Sequence, residues 1–425
     1  MTDTIFALSS GAPPAAIAVL RVSGPQAGSA MFALLGRNQK PRHATSAIVR
    51  DARGEDIDRA LVLWLPGPHS ATGEDTLELH CHGGRAVIRA VEAALAALPG
   101  LRTATPGEFT RRAFGNGKID LAEAEGLADL LTAETELQRQ SAIAMASGVF
   151  SHQVTQWRDR LLQQSAALEA VLDFGDEDDV ALLPADFVTH LAQLEVELSL
   201  WLARPRAELL REGYRVVIAG PPNAGKSTLF NTLVEAEAAI ATPIPGTTRD
   251  VLTRPIAYAG VPFLFADTAG LHDAVDDEVE AIGIERALEA LDRADLVLWL
   301  GPEGAGPDGA WEIAAQIDRG DAPEKSAARH RISAKTGEGI AALRDDLIAT
   351  ARAAMPKPGE AGLNERQYTH LSHGQRALAA ARFEHDSLLM AEALRLARVS
   401  FDALLGRTTT EDMLDSLFAR FCIGK

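Results

Sequence analysis

Residues 214–233, YRVVIAGPPNAGKSTLFNTL, decide the fold. Tyr214 to Ala219 is a short, β-branched, largely apolar run, as a buried strand requires. Gly220-Pro221-Pro222-Asn223-Ala224-Gly225-Lys226-Ser227 then fits GxxxxGK followed by Ser or Thr, the phosphate-cradling P-loop. Ser227 to Leu233 reads as the first turns of a helix. The glycines allow a tight bend, so successive N–H groups face one anion, and the helix N-terminus adds partial positive charge. Gly220, Asn223, Ala224, Gly225, Lys226, Ser227 and Thr228 are therefore candidate nucleotide-binding residues. Lys226 would reach the β- and γ-phosphates, and the Ser227 hydroxyl would bind Mg²⁺. A surface loop matching by chance is the alternative, and the flanking strand and helix argue against it.

Two further stretches follow in the order that a nucleotide switch requires. Pro245-Gly246-Thr247-Thr248-Arg249-Asp250, preceded by the nucleotide-binding candidates Thr242, Pro243 and Ile244, reads as a switch I in which a threonine can join the Mg²⁺ shell, and Thr248 is the better candidate. The apolar run Phe263 to Ala266 closes on Asp267-Thr268-Ala269-Gly270, where Asp267 would hold Mg²⁺ through water and Gly270 N–H would sense the γ-phosphate. Each motif alone is weak, whereas three at compatible spacing are strong.

The chain has 425 residues, enough for two or three domains. Lys and Arg total 41 against 59 Asp and Glu, a net charge of −18. So acidic a chain does not bind nucleic acid through its overall field; any RNA contact needs a local basic patch or a partner's surface. Two cysteines far apart in sequence, Cys81 and Cys422, suggest free thiols in a reducing cytoplasm. The first residues, MTDTIFALSS, lack the pattern of a signal peptide, and no apolar run reaches transmembrane length.

Residues 1–118 alternate strand-like segments (17–22, 60–65 and 75–82) with Ala-rich helical ones, as in an α+β domain. His80, Cys81 and His82 suggest a metal site only superficially, since no further ligand cluster appears; a strand end beside a ligand pocket is the better reading. Residues 119–211 are helical in composition, interrupted by the acidic run Gly175 to Asp179, which reads as a solvated loop. The nucleotide block occupies 212–354, and 355–425 opens with a Pro/Gly linker and turns helical again. One helical domain with the nucleotide domain inserted into it is the simplest arrangement, and it returns the C-terminus to the N-terminal half.

LRVSG (20–24), TGEDTLELHCHGG (72–84), PGEFTRRAFGNGKIDLAEAE (106–125), PGTTRD (245–250), SAKTGEG (333–339) and the terminal FCIGK (421–425), with the P-loop, resemble the MnmE (TrmE) family of tRNA modification GTPases over essentially the whole length. The resemblance implies a multidomain α/β protein: an α+β folate-binding and dimerising N-terminal domain, an all-α helical domain, and an inserted Ras-like G domain. It implies GTP/GDP, Mg²⁺ and K⁺, and a 5,10-methylene- or 5-formyl-tetrahydrofolate. It implies a homodimer that joins an FAD-containing partner, MnmG (GidA), in a heterotetramer acting on tRNA. There an aminomethyl or carboxymethylaminomethyl group is installed at C5 of the wobble uridine. The family's folate contacts fall on Arg21, Glu78, Lys118 and Lys425. Its K⁺ ligands fall on Asn223, Thr242, Ile244 and Thr247, and its water-orienting acid on Glu280. Cys422 reads either as a catalytic nucleophile or as a buried small residue that shapes the pocket near Lys425.

The sequence departs from the usual G-domain pattern in one place. No NKxD motif is present; Ala315-Gln316-Ile317-Asp318 is the nearest candidate, with Asp318 able to keep the purine contact. Gln316 lacks the ammonium that braces the P-loop, and Ala315 lacks the amide tether, so weaker or less selective guanine binding is expected. Ser333-Ala334-Lys335 reads as the loop whose backbone N–H contacts guanine O6. A second departure, Gly11 to Ile17, is less glycine-rich than the family's stretch. A GTPase switch in ribosome assembly is the competing function, but it would carry a basic RNA-binding appendage that this acidic chain lacks.

Overall fold

The computed structural model describes residues 3–174, 183–235, 253–267, 289–319, 325–408, 410–419 and 421–424. The chain divides into two compact units. One combines Met1–Ala128, Phe150–Leu183 and His385–Lys425; the other combines Asp129–Val149 and Pro184–Glu384.

The first unit is built on six strands: β1 (Thr4–Leu8), β2 (Ile17–Ser23), β3 (Thr45–Arg50), β4 (Asp56–Leu65), β5 (Thr76–His82) and β6 (Leu101–Thr103). Their order is β3-β4-β5-β2-β1-β6. Only β1 and β6 run parallel; the other neighbours are antiparallel. Strand alternation sends Phe6, Leu20, Val22, Val62, Leu77 and Leu79 to one face, where they bury against Met31, Leu34, Val91 and Leu95 of the helices Ala27–Leu35 and Arg85–Ala96. The opposite face carries Ile17, Arg21, Leu61, Glu78, His80 and His82, with Ile17 59% exposed and Leu61 43%. The same unit holds the helices Val149–Phe174 and Ser387–Leu404. They are joined by Trp157 and Phe401, with ring centroids 6.2 Å apart, and by Arg158 Nε donating to Asp402 Oδ1 at 2.7 Å. The last helix, Glu411–Phe418, buries Leu414 and Phe418 against Leu121 and Ala124.

The second unit contains β7 (Tyr214–Ala219), β8 (Thr253–Tyr258), β9 (Val261–Asp267), β10 (Leu296–Trp299), β11 (Trp311–Ala314) and β12 (His330–Arg331). Their order is β12-β11-β10-β7-β9-β8, and every neighbouring pair is parallel except β8 with β9. Val216, Ile218, Phe263, Phe265, Leu298 and Ile313 form one core with Leu229, Leu233, Leu343 and Leu347 from the helices Lys226–Glu235 and Ile340–Ala354. A second helix pair, Phe187–Leu202 and Glu365–Phe383, is tied by Gln375 Nε2 donating to Ser199 Oγ at 2.7 Å and by Arg382 against Glu195 at 3.1 Å.

The helical stretches differ from the sequence expectation in their breaks. Within 355–425, which the sequence reads as turning helical, Glu365–Phe383 and Ser387–Leu404 are separate helices, because Asp386 Oδ1 accepts from Leu388 N and Leu389 N and starts a new one. Likewise Thr135 and Gln138 form a capping box that begins the helix Glu136–Ala146. The far C-terminus does return to the N-terminal strands: Ser9 Oγ donates to Gly424 O at 2.8 Å.

Candidate functional site

The P-loop leaves β7, the strand flanked by β9 on one side and β10 on the other. The chain switches direction across the sheet there, which opens a crevice at the strand's carboxyl end. Gly225 has φ +94°, a backbone that side chains rarely adopt, and a Cβ there would stand 3.1 Å from Gln316 Nε2. Lys226 is nearly buried, and its Nζ donates to Gly220 O and Pro221 O, both at 2.9 Å. The ammonium is thus tied back across the loop whose phosphate it would contact. Ser227 and Thr228 are exposed at the helix start. Asp267 ends β9, in register with Ile218 one strand away, and is 7% exposed.

Two turns stand beside the P-loop and its helix. Asp318 follows β11, and its Oδ1 accepts from Ser333 Oγ at 2.7 Å; Ser333 Oγ accepts in turn from Thr336 N at 3.1 Å. The Ser333 hydrogen bond holds the Asp318 carboxyl below its ordinary range, with Lys335 and Arg319 adding to the effect. Asp318 is exposed, so its carboxylate faces solvent ready to accept. Ala334 O accepts from Thr232 Oγ1 at 3.3 Å, which joins this turn to the P-loop helix. Lys335 is exposed.

One expectation here is corrected. Gln316 does brace the P-loop, because its Nε2 donates to Asn223 O at 3.0 Å. An amide reaches that carbonyl as well as an ammonium does; only the charge is missing. Sequence reasoning also passed over Arg319, whose Nη1 donates to Gln316 Oε1 at 2.8 Å. A cation three residues beyond the departure from NKxD was the available signal.

The donor set fits the ions that such a site takes. Neither the Ser227 hydroxyl nor the Asn223 side chain has a hydrogen-bond partner among the described residues, and both are exposed hard oxygen donors. Thr242, Pro243, Ile244, Pro245, Gly246, Thr247, Thr248, Thr268, Ala269, Gly270 and Glu280 lie outside the described residues.

In the first unit, Arg21 and Glu78 face each other across β2 and β5. Arg21 Nε donates to Glu78 Oε1 at 3.0 Å, and its guanidinium stands 5.7 Å from the Phe109 ring centroid. His80 Nε2 lies 3.3 Å from Glu78 Oε2. Lys118 is exposed, with its methylenes against Gly73: a Cβ there would meet Lys118 Cε at 3.0 Å. The loop bearing Gly73 is bound to the end of β2 through Ser23 Oγ and Thr72 Oγ1, 2.7 Å apart. The tail approaches from β1, where Gly424 packs so closely on Leu8 O that no side chain fits. Lys425 itself lies outside the described residues. Cys422 is exposed, which goes against the second of its two readings, that of a buried small residue; its backbone O accepts from Gly107 N at 3.5 Å.

The His-Cys-His run does not converge on one point. His80 is engaged by Glu78, and His82 Nδ1 by Asp58 Oδ1 at 2.7 Å. Cys81 points to the opposite, buried face, where burial pushes its thiol up to about 12. Among the described residues, no group of three or more His, Cys, Asp or Glu could hold a metal ion. No helix among them is long and apolar enough to cross a membrane.

Two family models match the chain. The model for the GTP-binding protein TrmE N-terminus matches residues 4–118, and the model for the MnmE helical domain matches residues 121–422. The chain is 63% identical to the tRNA modification GTPase MnmE of Novosphingobium aromaticivorans, with both chains covered in full. It is 60% identical to that of Erythrobacter litoralis, again with both covered in full. It is 55% identical to that of Rhizorhabdus wittichii, over all of this chain and 97% of that one. This chain belongs to the MnmE family of tRNA modification GTPases.

Proposed function

We propose that the chain is the GTP-hydrolysing component of a cytoplasmic complex that installs an aminomethyl or carboxymethylaminomethyl group at C5 of the tRNA wobble uridine. It acts as a homodimer, with an FAD-containing partner of the MnmG (GidA) type, on a one-carbon unit drawn from a tetrahydrofolate. The observation that carries this reading is the meeting of the chain's two ends. Gly424 O is bound by Ser9 Oγ, just beyond β1, and β1 pairs with the strand that carries Arg21. The residues Cys422 to Gly424 thus lie by the sheet that carries Arg21 and Glu78, the arrangement that a folate pocket would use.

The residue chemistry fits each ligand. Glu78, oriented by Arg21 and His80, offers a carboxylate to the donor edge of a pterin. Lys118 and Lys425 would face the anionic glutamate tail. In the G domain, the loop N–H groups and Lys226 hold phosphates, Ser227 and Thr248 hold Mg²⁺, and Asp318 with Ser333 reads guanine. Asn223, Thr242, Ile244 and Thr247 hold K⁺, which when bound supplies positive charge beside the phosphates. Glu280 orients the attacking water. Dimerisation is in keeping with the exposed apolar side chains Ile17 and Leu61 on the sheet face that carries Arg21 and Glu78.

Mass spectrometry of wobble nucleosides from a deletion strain tests the proposal. The modified uridine disappears on deletion, returns with the wild-type gene, and does not return with Lys226→Ala. Undiminished modification in the deletion strain would refute it.

A further inference from the structure

Gln316 stands where a G domain ordinarily has lysine, and both polar ends of its side chain are used. Nε2 donates to Asn223 O in the P-loop at 3.0 Å, and Oε1 accepts from Arg319 Nη1 at 2.8 Å. The backbone at Gln316 is left-handed, with φ 59°. A residue with a side chain adopts that conformation only where its surroundings impose it. Here the turn is fixed by Arg319 N donating to Gln316 O at 2.9 Å and by Ile317 N donating to Ile332 O at 3.3 Å. The amide also lies against the loop itself, over Gly225.

A lysine in this place puts its charge directly on the P-loop carbonyl. In this chain a neutral amide makes the contact, and the charge sits one hydrogen bond further out, on the exposed Arg319. Donation from a guanidinium into Oε1 polarises the amide and strengthens its N–H towards Asn223 O. It also locks the amide the right way round, because Oε1 alone can accept from Arg319 and Nε2 alone can donate to a carbonyl.

We propose that Gln316 and Arg319 are positioning residues forming a two-part brace. The brace holds the P-loop to the turn that carries Asp318 and does together what one lysine does elsewhere. The proposal rests on the assignment of Asp318 as the base-reading carboxylate, since the brace closes the same turn over the nucleotide. Its consequence is kinetic. A brace that keeps two turns together over a bound nucleotide governs release more than association.

The test uses the full chain and fluorescently labelled GDP in stopped flow. Arg319→Ala is expected to speed GDP release roughly tenfold, the worth of one charge-assisted hydrogen bond, with association nearly unchanged. Gln316→Ala gives at least the same effect. Adding Gln316→Lys to Arg319→Ala restores slow release, because a lysine stem reaches Asn223 O without help; a general loss of folding would not be rescued in this way. Wild-type release from Arg319→Ala overturns the brace, as does a double variant that releases as fast as Arg319→Ala alone. Competition by XDP against Asp318→Asn separates the two ideas. A switch of preference to XDP with Arg319→Ala silent keeps the base assignment and removes the brace. No switch, with Arg319→Ala still fast, keeps the brace and removes the base assignment.

Discussion

Arg21 and Glu78 are cross-strand partners in register on β2 and β5, and their side chains close a salt bridge of 2.9 Å with exposures of only 23% and 15%. Each therefore depends on the other for its charge balance. Truncating one leaves a largely desolvated charge unpaired, at a cost of about 1–3 kcal/mol. Arg21→Ala and Glu78→Ala should each lower the unfolding midpoint, and the double variant should lose less than the sum. Reduced folate, followed by calorimetry, should bind each single variant at least about tenfold more weakly. Equal affinities in wild type and both variants would remove the folate assignment, whatever happens to the midpoint.

Lys226 carries two roles that one substitution separates from the rest of the chain. Its Nζ bonds Gly220 O and Pro221 O, and the same ammonium is the counter-charge for the phosphates. Lys226→Ala should reduce GTP turnover by about a hundredfold or more, the scale of one lost preorganised charge. Strands β1 to β6 belong to the other compact unit, so folate binding should be unaffected. Normal turnover by this variant would be incompatible with the P-loop assignment.

Glu108 ties the first unit to acid stability. Burial alone would raise its pKa. Hydrogen bonds from Arg102 Nη1 at 2.8 Å, Thr105 N at 2.9 Å and Arg112 Nη2 at 3.2 Å outweigh that and bring it down to about 2. The folded value lies below the ordinary 4.5, so the unfolded chain takes up the proton first as pH falls. The stabilisation is complete above about pH 4.5 and is lost progressively towards about pH 2. Glu108→Gln should lower the denaturant midpoint at pH 7 and flatten the acid limb between those values. Parallel midpoint curves for the two proteins over that window would show that Glu108 contributes nothing to it.

These cases differ in what the sequence disclosed. The P-loop and its strand were legible because Tyr214 to Ala219 is a short, largely apolar, β-branched run followed directly by a glycine. β11 was not: Trp311–Ala314 is four residues long, among glycines and prolines, and it owes its place to pairing with β10. The role of Gln316 was misread, because nothing local says that its amide lands on Asn223, 93 residues away. Arg112 looks like a surface cation on an amphipathic helix. It is wholly buried, because Asp3 and Glu74 from two distant segments join Glu108, one turn earlier on its own helix, in pairing with it. Motifs that act through contiguous backbone are written in the sequence; those assembled from long-range side-chain meetings are not.

Hydrolysis should require K⁺. The residue after Asp267-Thr268-Ala269-Gly270 is Leu271, which cannot orient a water as a glutamine does. Arg249 is the only cation in the switch I stretch Pro245 to Asp250, so positive charge between the β- and γ-phosphates needs another source. Asn223 suits a large, weakly hydrated cation. Its backbone is left-handed at φ 62°, its carbonyl is taken by Gln316, and its side chain has no partner among the described residues. Losing one such charge at the transition state costs on the order of 3 kcal/mol, about a hundredfold in rate. Single-turnover hydrolysis should therefore be fast in KCl and slow in NaCl, with GDP affinity little changed. Asn223→Ala should abolish the difference between the salts. Glu280→Ala should slow hydrolysis in KCl while leaving nucleotide binding intact, because an acid that orients water acts only on the chemical step. Equal wild-type rates in the two salts would eliminate the cation's role, and an unimpaired Glu280→Ala would eliminate the acid's. The two results are independent, since the cation would act on charge at the phosphates and the acid, through a bridging water, on the position of the attacking water.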